Sequence, residues 1–321
     1  MCHYWRASRP ESGRSNCHFR AARGMVRVSL RRSRVLIDRS AIEAFRSYVR
    51  IKTDENLDRL ASTLGGRLAY RHHKWSSVSS GLTIREFWKQ QLRGVTWSEQ
   101  LENSIEVIIR RLCNREKYWL ETALRYLPRG HVFNTTVYLI GGYDSVVCGE
   151  DVALNLNSSQ FHRDHREAEY YMIHELAHAG YFKYRRMPNL AGLKTRRRLV
   201  ATVKLLTHLE GMGVISSLQQ RLKEGGLLDP DYQVLLNERK TNELVCEYFA
   251  RLRNIQKGGG RQRYDYRRLD EFNAQPKRLW YIAGGHMALK IEAEYGRKRL
   301  QDAVRSGPEE FFRAYLETQN R

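Results

Sequence analysis

The amino-acid sequence predicts an α+β fold that is mostly helical, with a small β-sheet just ahead of its most distinctive helix. Three observations carry this expectation. Apolar residues recur at three- and four-residue spacing over most of the 321-residue chain. Two stretches, 131–140 and 152–157, are instead rich in β-branched and aromatic residues or alternate apolar and polar. A His-Glu-x-x-His then follows inside the apolar run Tyr170–Gly180.

Taken in order, residues 1–24 carry Arg6, Arg9, Arg14, Arg20 and Arg23 against Glu11, with no apolar periodicity. They read as a basic disordered tail, a transit peptide, or an extension ahead of a start at Met25. Residues 25–130 form a helical N-terminal region. Ile42, Phe45 and Tyr48 recur at helical spacing, as do Leu57, Leu60 and Leu64 before Gly65-Gly66 is expected to end the run. Leu101, Ile105, Ile108, Ile109 and Leu112 make a further stripe, continued by Trp119, Leu120 and Leu124 up to Pro128. His72-His73 falls in a polar, basic stretch and reads as solvated.

Beyond 130 the texture changes. The run from His131 to Ile140 ends at Gly141-Gly142 and predicts a strand, and Val152–Asn157 alternates as a half-buried or edge strand would. The distinctive helix follows, with Asp164 and Glu167 as a capping box and Gly180 as its stop. A long helix is predicted from Thr195 to Lys223, after a Pro188-containing loop. Another spans Asp231 to Ile255, and the last two are Lys277–Tyr295 and Pro308–Thr318. Lys257–Arg261 reads as a flexible basic loop.

Composition narrows the function classes. A formal charge of +21 suits nucleic acid, acidic partners or anionic surfaces, without implying a specific nucleic-acid function. No stretch approaches the ~18 consecutive apolar residues of a membrane helix. The five cysteines, Cys2, Cys17, Cys113, Cys148 and Cys246, are scattered and odd in number. That speaks against a disulfide framework and for a reducing, cytoplasmic compartment.

The chemistry concentrates in His174-Glu175-Leu176-Ala177-His178. Random placement at this composition gives ~0.03 such matches per chain. Positions four apart share a helix face, so His174 and His178 can hold one zinc ion. Glu175 lies beside the metal, where it can serve as a general base. A third protein ligand is required. Tyr181 and Tyr184 stand where a metzincin would have Gly and His, and no histidine occurs between His178 and His208. The best candidate is Glu210, followed by Gly211, which would let two helices approach closely. His208 competes, but two positions away it points to a different face.

With these residues the chain resembles a gluzincin-type zinc metallopeptidase. The run Tyr281–Ala288, with Ile291-Glu292 and Tyr295-Gly296, further resembles an uncharacterised group of archaeal and bacterial zinc-dependent peptidases. The resemblance covers roughly 131–321 and implies a zincin-like peptidase core there. It also implies a peptide or protein substrate, and Tyr281 or His286 as the group that steadies the transition-state oxyanion. Glu243 and Glu247 could orient a ligating histidine, although surface pairing is the plainer account. Two other readings stay open: a basic nucleic-acid-associated protein with a structural or vestigial metal site, and a zinc hydrolase of a non-peptide amide.

Overall fold

In the computed structural model, residues 25–30, 32–78, 80–227, 229–258 and 264–320 are described. The basic tail at 1–24 and residues 259–261 of the Gly-rich loop lie outside them. The first strands are β1 (Met25–Leu30) and β2 (Ser33–Asp38), an antiparallel pair with Val28 opposite Val35. The region expected to be helical thus begins as a hairpin. Val26, Val28, Val35 and Ile37 alternate with polar residues or lie toward the core, a period of two that prevails over the helical expectation.

Six helices follow: α1 (Ser40–Arg50), α2 (Asp54–Ser62), α3 (Leu64–Ser76), α4 (Ile84–Gln91), α5 (Glu99–Asn114) and α6 (Glu116–Leu124). Then β3 (Asn134–Ile140), β4 (Val146–Cys148) and β5 (Asp151–Asn155) complete a five-stranded sheet of order β1-β2-β3-β5-β4. β2 and β3 are parallel, so the six helices form the crossover between them. The sheet therefore takes strands from both sides of residue 130. β5 is interior, with Val152, Ala153 and Leu154 buried, and not the half-exposed strand its alternation suggested. Short β4 pairs antiparallel on its far side and takes the edge.

Gly65-Gly66 does not end a helix. Thr63 closes α2 and caps α3, accepting a hydrogen bond from the Gly66 amide at 3.0 Å. A Cβ on Gly65 would lie 2.9 Å from the Cβ atoms of Ala41 and Tyr138, so the glycine lets α3 sit down on the sheet.

The remaining helices are α7 (Ser159–Arg163), α8 (Arg166–Phe182), α9 (Arg196–Glu224), α10 (Pro230–Leu235), α11 (Glu238–Lys257), α12 (Asp270–Asn273), α13 (Leu279–Tyr295), α14 (Arg297–Ser306) and α15 (Pro308–Gln319). The helix expected over 231–255 is broken into α10 and α11 at Asn237, which caps the second. The capping box expected at Asp164 does not form. Asp164 instead binds Arg166, and Glu167 is buried against Arg221. α8 also runs past Gly180, which allows close contact with Leu127.

α9 is long and apolar enough to cross a membrane by length and composition, yet 72% of its most apolar stretch is buried inside the protein. Its hydrophobicity has a nearer explanation in packing against α8, α11, α13 and α15. Among the described residues two large apolar cores result, beside a small cluster of Val214, Leu218 and Tyr232. One joins the sheet, α1–α6 and one side of α8; the other joins α9, α11 and α13–α15. The His-Glu-x-x-His helix lies along their seam.

Candidate metal centre

Because α8 carries one apolar face into the first core, its opposite face is turned toward α9. There His174 and His178 stand one turn apart, with ring centroids separated by 4.4 Å. Glu210 rises from α9 to meet them. Its Oε2 lies 3.3 Å from Nε2 of His174 and 3.4 Å from Nε2 of His178. One ligand atom from each of the three lies within 4.8 Å of the others. Exposure is at most 9% for all three residues, so this is a buried floor and not a surface cluster.

The local chemistry fits a zinc ion. Nε2 of His178 is buried and has no hydrogen-bond partner, a state that is destabilising unless something else satisfies it. Gly213 lies three positions past Glu210 on the same helix face. A Cβ built there would sit 2.6 Å from Nε2 of both histidines. The missing side chain keeps open the space into which both donors point. Two imidazoles and one carboxylate are a donor set for zinc that leaves a fourth position free.

The charges are mutually supporting. Burial opposes the imidazolium of His178, but Glu210 and then Glu175 outweigh it and hold the ring above its ordinary range. Burial likewise pushes Glu210 up, and His178 and His174 overcome it and keep the carboxyl below its ordinary range. Glu175 stands to the side of the cluster, with Oε2 3.7 Å from Nδ1 of His178.

A cavity of about 860 Å³ opens above this floor, near the upper end of the range for ligand pockets. Tyr281 lines it and stacks along His174, ring centroids 6.4 Å apart at 16°. Burial, then the Glu210 charge, raise its phenol well above the usual value, while Arg278 pulls back. At neutral pH it is an O–H donor. Arg278 covers the ring, with Cζ 3.4 Å from the centroid, and is tied to Asp231 at 2.6 Å. It does so with φ of 39°, a left-handed backbone that is costly for a residue with a side chain.

Other residues from the sequence reading fall elsewhere. His286 lies on a different face of α13, beside the ring of Tyr315, and does not line the cavity. His208 is fully buried, hydrogen-bonded to Tyr181 at 3.0 Å and stacked on Phe311. Glu247 pairs with Lys277 and Arg251, and Glu243 is exposed, so neither orients a ligand histidine. Gly211 does permit a close approach, but of α9 to Gly284 on α13 and not to α8.

Sequence reasoning missed the wall contributed by the N-terminal region. His72 is on α3 and not in a solvated loop. It lines the cavity and pairs with the Tyr143 hydroxyl at 3.1 Å. Burial lowers its pKa to about 4, with Glu175 and Glu210 pulling the other way. One signal was available: His72 lies four positions past buried Leu68, on the same helical stripe. Arg278, Asp231 and Asp144 carried no comparable signal, because their meeting depends on tertiary packing.

No curated protein and no solved structure matches the chain. A family model described as "Putative zinc dependent peptidase" matches residues 40–320, nearly the whole of the described chain, and the chain belongs to that family.

Proposed function

We propose that the protein is a gluzincin-like zinc metallopeptidase that hydrolyses peptide bonds within a zincin-like core. The observation that carries this is the convergence of His174, His178 and Glu210 beneath one cavity, with Glu175 beside them. Bound zinc would lower the pKa of a water in its fourth position toward ~7 and polarise the scissile carbonyl. Glu175 accepts the proton of the attacking water and delivers it to the leaving amine. The Tyr281 hydroxyl donates to the developing oxyanion, held by Arg278 across its face and by Asp231 behind Arg278. His286 does not line the cavity, which favours Tyr281 for this step.

A peptide suits the site better than a small non-peptide amide. Val146 and Val147 of edge strand β4 line the cavity, and an edge strand is the kind of element that holds an extended chain by main-chain hydrogen bonds. The test combines elemental analysis with a protease assay on zinc-loaded wild type and Glu175→Gln. The expected result is near one zinc per chain in both proteins, and hydrolysis in the variant reduced by roughly 10²–10⁴. Folded wild type that takes up no zinc would refute the proposal.

A further inference from the structure

Asp144 is a cavity carboxylate that the peptidase reading leaves unused, and the charge of Glu175 reaches it. It belongs to the turn between β3 and β4 and is exposed to the cavity, whose lining it shares with Glu175. Among the described residues it makes no hydrogen bond and no ion pair. Arg278, whose charge reaches it, is already engaged by Asp231. The other cavity carboxylates near the floor have partners: Glu210 the two histidines, Asp231 Arg278, and Asp229 the hydroxyl of Tyr171 at 2.9 Å.

The turn that carries Asp144 is firmly built. Gly141 packs against the Phe45 ring, and Gly142 adopts φ of 88° with its amide on Oδ1 of Asn155 at 3.2 Å. Tyr143 is held by His72, and Ser145 accepts from the Asn155 amide at 3.1 Å. A rigid support for an unpartnered carboxylate is what a recognition group requires, since little ordering remains to be done on binding. Protein around Asp144 pushes its carboxyl upward, Arg278 pulls it down and Glu175 pushes it up again. An incoming cation would relieve the two opposing effects together.

Charge at the cavity runs against charge on the chain. The protein carries +21, yet six carboxylates and three arginines line this cavity. We propose that Asp144 is a specificity-determining residue that binds an ammonium group of the substrate, next to the bond being cut. The ammonium has two sources in a peptide, a free amino terminus or a lysine side chain. Asp144 directly precedes Ser145 and edge strand β4, so a peptide laid along β4 brings one of its residues past this carboxylate. The inference rests on the peptidase reading of the same site.

Calorimetry on the zinc-loaded protein separates the possibilities with three zinc-binding probes. These are L-alanine hydroxamate, N-acetyl-L-alanine hydroxamate and Nα-acetyl-L-lysine hydroxamate. Wild type is expected to bind one cationic probe at least tenfold more tightly than the neutral one; which of the two it prefers identifies the source of the ammonium. Asp144→Asn should shrink that preference to about twofold, and Asp144→Lys should invert it, at unchanged zinc content. Equal affinity of wild type for all three probes, or a preference that survives both substitutions, overturns the subsite and leaves the zinc reading standing. Zinc-loaded wild type that binds none of the three probes likewise overturns the subsite, whereas wild type that takes up no zinc removes the metal site itself, and the subsite with it.

Discussion

Replacing Gly213 by alanine separates metal binding from folding more sharply than replacing a ligand. In an ordinary helix interior the change would stabilise the protein by up to ~1 kcal/mol, because alanine has the better helix propensity. Here the new methyl would lie 2.6 Å from Nε2 of both His174 and His178, where ordinary contact begins near 3.4 Å. Each ring nitrogen must retreat by about 0.8 Å, several times the ~0.2 Å tolerance of zinc–ligand distances. Weakening a single outer support of a zinc ligand commonly costs 10–100-fold in affinity. Displacing two direct ligands at once should therefore weaken zinc binding by at least ~100-fold, or ~2.7 kcal/mol. In metal-free protein the imidazoles can turn aside, so the apo form should unfold at or above the wild-type temperature. Competition with a chromophoric chelator gives the affinity, and thermal unfolding with and without zinc gives the two stabilities. The zinc-dependent rise in midpoint should be large in wild type and nearly absent in the variant. Wild-type zinc affinity in Gly213→Ala would refute the assignment of these nitrogens as donors.

Other expectations follow from neighbouring contacts. Gly284→Ala should lower stability with or without metal by ~3 kcal/mol, because its Cβ would meet the Thr207 carbonyl oxygen at 2.2 Å and push α13 off α9; denaturant titration of the apo protein measures this. Tyr281→Phe should retain zinc and substrate affinity while kcat falls ~10²–10³, the usual loss for one oxyanion donor; steady-state kinetics beside elemental analysis would detect an effect on KM instead. Metal-free protein should lose stability as pH falls below 6.5, the unfolded histidine value. His208 and His131 are held by burial at about 3 and about 4, so the unfolded chain binds more protons across that window. Each contributes a slope of up to ~1.4 kcal/mol per pH unit. Equilibrium unfolding at pH 7, 6 and 5 with a chelator present should show the decline, and a flat profile would contradict their burial as neutral rings.

The readable parts of the fold were those where one local pattern sufficed. The α5 stripe from Leu101 to Leu112 is buried as its spacing requires, and the strand ending at Gly141 is the central one of the sheet. The β1–β2 hairpin was passed over because its alternation is crossed by arginines, and β4 because three residues carry no period. Glu210 was legible as a carboxylate flanked by Val203, Leu206, Leu209, Met212 and Val214, a position that demands a partner. The role of its neighbouring glycines was not: Gly211 and Gly213 look alike in sequence, yet one meets Gly284 and the other the two histidines.

That difference explains why α9 in particular can present a third donor to the two histidines. A helix buried on all sides can present different faces to different neighbours, and α9 uses three of them at adjacent positions. His208 faces Phe311 of α15, Gly211 faces Gly284 of α13, and Glu210 with Gly213 faces α8. A helix with one apolar stripe could have fixed the distance to α8 only through that contact. Here α13 and α15 set the position of α9 independently, so Glu210 and Gly213 are held from behind while they face the histidines. The apolar stretch of α9 is, on this account, what packing against three neighbours requires of a helix that holds a carboxylate rigidly before two histidines.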